Sequence, residues 1–183
     1  MTTEVEVKLA INDPEELEYS LVEKGAQLEE IVIQRDHYYV HPTRDFGKTD
    51  EALRIREEGE KFYLTYKGPK IDSKSKTREE IETEISDYIQ MNKILEKMGF
   101  QKAIIIIKER KIYKFEGVKF CLDQIDALGS FLEVEKVIDD KEEYIEVQKN
   151  LFEKIRLFGL NPEENIRDSY MELVLSKKSK QKI

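Results

Sequence analysis

Glu4, Glu6 and Lys8 stand in the run Thr3-Glu-Val-Glu-Val-Lys-Leu. Successive side chains of a strand point to opposite faces. The run therefore puts two acids and a base on one face and Val5, Val7 and Leu9 on the other. The device returns along the chain. Arg54 and Arg56 flank Ile55, and Lys67 closes Tyr63-Leu-Thr-Tyr-Lys. Arg78, Glu80 and Glu82 alternate with Glu79, Ile81 and Thr83. Lys108, Arg110 and Asp123 follow, then Glu133 and Glu135. Carboxylates two apart on one strand face lie roughly 6–7 Å from each other along it. Their repulsion is relieved by a hard divalent cation such as Mg²⁺, which takes one or two carboxylates, waters and phosphate oxygens. Arginine grips phosphate through two bonds and lysine acts as a point charge. Acids for a cation and bases for phosphates on one surface describe a triphosphate site.

Alternation, turns and caps give the elements that must position these residues. Strands are expected at 3–11, 26–40, 52–57, 61–67, 77–86, 101–115, 118–125 and 131–138. Helices are expected at 14–24, 87–97 and 140–157, and a last one starts at Asn161-Pro162 and runs to about Leu175. Gly68-Pro69 opens a polar, mobile loop over Lys70–Lys76. Most strands fall in hairpins, so an antiparallel sheet with helices outside it follows, an α+β fold. The boundaries are one domain over residues 1–175 and a basic, frayed tail over 176–183.

An antiparallel sheet often leaves one polar face in water, and that is the ordinary account of any single strand here. Three features argue against it for the set. The face is nearly all Arg, Lys, Glu and Asp; like charges sit two apart; and each helix has one apolar stripe, enough to cover the outside and leave the charges inside. Such an interior must be a hydrated groove or tunnel, because stripping water from unpaired ions costs several kcal/mol each.

Composition bounds the function. The chain has 183 residues, 39% hydrophobic and 38% charged, with a net charge of −8. The acidic balance argues against nucleic acid as a partner. Cys121 is the single cysteine, which excludes a disulfide framework within the chain and suits a reducing compartment. The longest aliphatic run, 103–107, is too short to span a bilayer. The expectation is a cytoplasmic protein with a small-molecule partner.

These residues resemble the CYTH superfamily, the triphosphate tunnel enzymes. Glu4-Val-Glu-Val-Lys8 is its ExExK signature. In order come Arg54-Ile-Arg56, Tyr66-Lys67-Gly-Pro, Arg78-Glu-Glu80-Ile-Glu82, Lys108-Glu-Arg110, Asp123 and Leu128-Gly-Ser-Phe-Leu-Glu133-Val-Glu135. The resemblance implies an eight-stranded antiparallel barrel with a charged interior and helices packed outside, acting on triphosphates with Mg²⁺ or Mn²⁺. It implies Glu4, Glu6, Asp123, Glu133 and Glu135 at the metal, with Glu80 and Glu82 as supporting acids. It implies Lys8, Arg54, Arg56, Lys67, Arg78, Lys108 and Arg110 as the phosphate clamp, and Lys67 and Glu135 as catalytic. Gln34-Arg-Asp36-His-Tyr-Tyr39, Arg44-Asp-Phe and Leu122-Asp-Gln-Ile-Asp126-Ala-Leu-Gly are most similar to the class IV adenylate cyclase branch, the CyaB-like proteins. Members of that branch can pair, so a homodimer is compatible with the chain.

Three activities remain. A cyclase converts ATP to cyclic AMP and pyrophosphate, and is the first reading. A triphosphatase releases phosphate from inorganic, nucleoside or thiamine triphosphate. A non-catalytic protein binds nucleotide or polyphosphate without turnover. Tyr38 and Tyr39 read as one core and one surface aromatic. His37 and His41 lack ligand company and read as structural. Ser169-Tyr170 is similar to a family feature at one tunnel mouth, yet Ile166, Tyr170, Leu173 and Val174 at helical spacing fit plain core packing.

Overall fold

The computed structural model describes residues 2–180. Its strands are β1 (Thr2–Ile11), β2 (Gln27–Val40), β3 (Ala52–Glu58), β4 (Lys61–Lys67), β5 (Arg78–Ile85), β6 (Gln101–Phe115), β7 (Val118–Ile125) and β8 (Gly129–Ile138). Its helices are α1 (Pro14–Glu23), α2 (Phe46–Thr49), α3 (Tyr88–Lys97), α4 (Tyr144–Leu157) and α5 (Tyr170–Lys180). The strands pair antiparallel into a closed barrel in the order β1-β5-β4-β3-β2-β6-β7-β8. The expected α+β barrel with helices outside is what forms.

Local chemistry explains the elements. Asp13 caps α1 by accepting from the Glu16 N–H at 2.9 Å, with Pro14 in the first turn. Asp87 caps α3 through the Gln90 N–H at 3.0 Å. The β6–β7 hairpin turns at Glu116 and Gly117, both at positive φ (47° and 77°), the left-handed pair that a two-residue hairpin demands.

Period two then sorts each strand. On β1, Val5, Val7 and Leu9 face outward and pack against Leu17 and Leu21 of α1 and Val147, Leu151 and Ile155 of α4. A second core lies where α3 covers β2 and β3, from Tyr39, Leu53, Ile55 and Leu95. The third is inside the barrel at one end. There Tyr38, Ile106, Ile125 and Phe131 meet Tyr170 and Val174 of α5. With apolar cores outside the wall and at one end, the inward charges are left as the lining of a lumen.

Three segments differ from the sequence expectation. The last helix does not start at Pro162. A short 3₁₀ turn covers Pro162–Glu164, the chain runs irregularly to Ser169, and α5 begins only at Tyr170. The reason is a competing contact. The Ile166 N–H donates to the Lys8 carbonyl (2.8 Å), and Asn165 Oδ1 accepts from the Lys8 N–H (2.9 Å), so this stretch is bonded to β1. The basic tail is helical as far as Lys180, and residues 181–183 lie outside the described range. Within the loop expected to be mobile, Ser75 and Lys76 are buried.

Asp72 organises that loop. Its carboxylate accepts from the Ser75 N–H (2.9 Å), the Ser75 hydroxyl (2.5 Å) and the Gln148 amide of α4 (3.1 Å). Asn165 Nδ2 donates to the Lys74 carbonyl (2.8 Å), and the Lys76 N–H donates to the Glu6 carbonyl (2.9 Å). Asp72→Ala is expected to cost about 1–3 kcal/mol, the usual penalty for stranding such donors. Thermal denaturation and limited proteolysis check this: an unchanged melting temperature with no new cleavage at 70–76 defeats it.

Candidate active site

The barrel encloses a cavity of about 460 Å³. Every residue expected at the site lines it except Asp123: Glu4, Glu6, Lys8, Arg54, Arg56, Lys67, Arg78, Glu80, Glu82, Lys108, Arg110, Glu133 and Glu135. Strand register brings them together. Glu6 sits opposite Glu135 and Lys8 opposite Glu133 on β1 and β8. Glu4 sits opposite Arg78 on β5, and Lys67 opposite Glu80 on β4 and β5.

Asp123 lies behind this wall with its carboxylate fully buried. It accepts from Lys108 (3.1 Å), from Arg110 through both oxygens (2.6 and 2.5 Å) and from the Tyr170 hydroxyl (2.8 Å). Burial opposes its charge, yet Arg110 and Lys108 outweigh it and hold the carboxyl below the usual range. Asp36 does the same work on β2, on the other side of β6. It accepts from Arg54 (3.1 Å) and from Arg56 through two bonds (2.7 and 2.8 Å), and these arginines, against burial, hold it well below the usual carboxylate range. Each buried aspartate thus fixes two cations of the wall.

The remaining charges pair between nearby strands of the wall. Lys67 Nζ lies 2.5 Å from Glu4 and 2.6 Å from Glu80. Burial works against the Lys67 charge, but those carboxylates outweigh it and raise its pKa. Lys67 is therefore a cation held between two carboxylates. Glu80 is in turn held down to about 2, against burial, chiefly by Lys67. Lys8 behaves differently. Burial, and next the Lys76 charge, pulls it down to about 7 against Glu133 and Glu6. Its Nζ donates to the Asp168 carbonyl (3.0 Å), lies 3.3 Å from Glu133 and sits 3.9 Å from the centre of the Tyr170 ring.

Glu135 is the least compensated acid. Burial pushes its carboxyl up to about 7 against Arg110, and Glu4, Glu133 and Glu6 add repulsion. Its Arg110 contact is long, 3.8 Å. Among the described residues no three carboxylate, imidazole or thiol groups converge on a metal-sized point as the side chains stand. Glu4, Glu6 and Glu133 instead engage Lys67, Lys76, Lys8 and Arg110. The donor set still fits a hard cation, being all oxygen with four glutamates on two adjacent strands and one of them crowded.

The sequence reading did not assign Lys76, Gln34 or Asp36 to the site; Lys76 and Gln34 line the cavity, and Asp36, like Asp123, holds cations of its wall. Lys76 lies 2.6 Å from Glu6 and 3.9 Å from Glu133. It comes from the β4–β5 loop, where period two carries no information. Gln34 and Asp36 lie on β2 in phase with Tyr38, and alternation carried through that strand identifies both. Tyr38 faces the lumen and Tyr39 the α3 core, where its hydroxyl donates to Asn92 (2.8 Å). Tyr170 serves core and site together. His37 and His41 stay outside the cavity, and Cys121 is a buried strand residue.

A closed antiparallel barrel whose lumen carries interleaved acids and bases defines a tunnel-type barrel protein. The CYTH domain matches residues 2–170, and the chain belongs to that family. A protein of Methanocaldococcus jannaschii named "Putative adenylate cyclase" is 43% identical over 170 residues, which is 93% of this chain and 97% of that one. Among solved structures, the PH1819 protein of Pyrococcus horikoshii OT3 is similar at 42% identity and a TM-score of 0.87, over 95% of this chain and 99% of that one. A Hippeastrum protein named "Putative adenylyl cyclase", with a dominant triphosphatase activity, shares the fold. It is 20% identical with a TM-score of 0.69, over 97% of this chain and 96% of that one.

Proposed function

We propose that this chain is a divalent-cation-dependent enzyme acting on triphosphates, and that its reaction is the cyclisation of ATP. The carrying observation is Arg54. It lines the cavity, is nine-tenths buried, and its Nε–H has no hydrogen-bond partner. A buried guanidinium donor left unmade in a lumen of fixed cations suits a phosphate oxygen.

Glu4, Glu6, Glu133 and Glu135 would hold Mg²⁺ or Mn²⁺. A bound divalent cation polarises phosphoryl oxygens and neutralises charge gathered there. Lys8, Arg54, Arg56, Lys67, Lys76, Arg78, Lys108 and Arg110 orient the phosphate chain and stabilise charge as it develops. Asp36 and Asp123 hold the arginines in place, so Asp123 acts as an anchor of the clamp. In the cyclase the ribose 3′-hydroxyl oxygen bonds to the α-phosphorus as its proton passes to water in the lumen, the bond to the bridging oxygen breaks and pyrophosphate leaves. The name of the M. jannaschii relative supports this reading.

A second reading is a triphosphatase, favoured by the activity named for the Hippeastrum protein. One experiment separates them: incubation with ATP, inorganic triphosphate or thiamine triphosphate in Mg²⁺ or Mn²⁺, with products resolved by anion exchange. Cyclic AMP with pyrophosphate, abolished by EDTA, is the expected result. Orthophosphate without cyclic nucleotide replaces it with the triphosphatase. Tight binding without product leaves a binding protein. A single domain in a cytoplasmic setting, with a small-molecule partner, suits the one buried cysteine. Among the described residues no helix is long and apolar enough to cross a membrane.

A further inference from the structure

The two ends of the lumen are chemically unlike. At the α5 end the inward residues are Tyr38, Ile106, Ile125 and Phe131, sealed by Tyr170 and Val174, all buried. At the other end the lining includes Glu30, Glu58, Tyr63, Glu82, Ile112 and Val137, of which Glu30, Glu82 and Val137 are exposed. Strand register joins these into one rim: Glu30 opposes Ile112, and Glu58 opposes Gln34. Tyr63 opposes Arg56, and Glu82 opposes Thr65. The charged rim is the solvent-facing end of the lumen. A triphosphate ester that enters there and reaches the buried clamp does so terminal phosphate first, leaving its ester group at the rim.

That rim is built to accept hydrogen bonds. Gln34 is 2% exposed and lines the cavity. Its amide nitrogen donates to Glu58 (2.5 Å), which fixes the amide orientation, and its Oε1 is buried with no partner. A buried acceptor left unmade beside a cavity marks a place where a donor is missing. Glu82 is likewise oriented, accepting from the Thr65 hydroxyl at 2.7 Å. Three carboxylates here outnumber the one rim cation, Lys119, and attract N–H groups or positive charge. Tyr63, Ile112 and Val137 offer apolar wall to a flat ring.

We propose that this mouth is a subsite for the organic end of the substrate. Gln34 Oε1, with Glu58 and Glu82, receives the N–H or O–H donors of a heteroaromatic group. The chain is thereby selective for organic triphosphates over inorganic triphosphate. The inference rests on the triphosphate reading of the same lumen. Two sources share this chemistry: a nucleoside, with exocyclic amine and ribose hydroxyls, and a cationic ring with an amine, such as thiamine.

Titration calorimetry in Ca²⁺ with ATP, thiamine triphosphate and inorganic triphosphate tests it, on wild type and on Gln34→Met. At least one organic triphosphate is expected to bind wild type about tenfold or more tightly than inorganic triphosphate, and which one identifies the source. Gln34→Met is expected to weaken that ligand by about 5–20-fold, the range for losing one hydrogen bond, and inorganic triphosphate by less than about twofold. Glu82→Gln, which keeps its acceptor oxygen, is expected to weaken a cationic ligand only; melting temperatures certify both folds. If wild type binds inorganic triphosphate as tightly as either ester, or if Gln34→Met weakens all ligands alike, the mouth subsite is refuted while the triphosphate reading stands. If wild type binds none of the three, both fall.

Discussion

Glu135→Ala is expected to fold at least as well as the wild type and to lose about a hundredfold or more of its turnover. The two halves of that result have one cause. Glu135 stands, partly buried, beside Glu4, Glu6 and Glu133, with only a 3.8 Å contact to Arg110 in compensation. Its carboxyl is pushed up to about 7 by burial and by these neighbouring acids. Removing it relieves repulsion and breaks no close hydrogen bond, so the melting temperature should hold or rise. What is lost appears only when substrate and cation are present. Removing one preorganised electrostatic group from a site costs on the order of 10²–10³ in rate. Measuring product formation beside thermal denaturation reads both halves. Full activity in Glu135→Ala sinks the metal assignment, and a collapse of stability shows that Glu135 is structural.

The parts legible in the sequence are those that obey a period. β1 shows why. Val5, Val7 and Leu9 answer to α1 and α4, and so Glu4, Glu6 and Lys8 must face the other way. The same argument, strand by strand, identifies all but one of the expected residues as cavity lining. It fails where position is set by tertiary contact. Lys76 enters the lumen because Asp72 and Gln148 tie its loop to α4, a bond across 76 positions that no local pattern carries. The helix signal at Asn161-Pro162 is a proper start, yet it yields a single 3₁₀ turn. The backbone of Lys8 captures Asn165 and Ile166 before a longer helix can form. Asp123 has the right phase for the lumen, but its two oxygens are taken by Lys108, Arg110 and Tyr170. Phase tells which way a side chain points. It does not tell whether the side chain reaches the cavity or stops at its neighbours.

That distinction gives Asp123→Ala the opposite signature to Glu135→Ala. Asp123 is the common acceptor of two buried cations and a buried hydroxyl, and its loss leaves Lys108 and Arg110 side by side with only the Glu133 and Glu135 charges for company. Burial and the Arg110 charge already press the Lys108 pKa downward, with the Asp123 charge opposing them, so the ammonium loses support that it needs. Removing one partner of a buried ion pair costs about 3–5 kcal/mol. For a chain of this size, 2–4 °C of melting temperature accompany each kcal/mol, so the expected drop is roughly 6–20 °C. Asp123→Asn keeps one acceptor oxygen and should fall between. Tyr170→Phe removes only the hydroxyl donor and should cost about 1 kcal/mol. Thermal denaturation of the three variants beside Glu135→Ala decides it. A melting temperature for Asp123→Ala within about 2 °C of wild type would mean that the arginine and lysine find other partners, and that Asp123 is free to serve the cation. The predicted order, with Asp123→Ala lowest and Glu135→Ala highest, follows only if the buried aspartates hold the cationic wall and the luminal glutamates are kept in spite of their mutual repulsion.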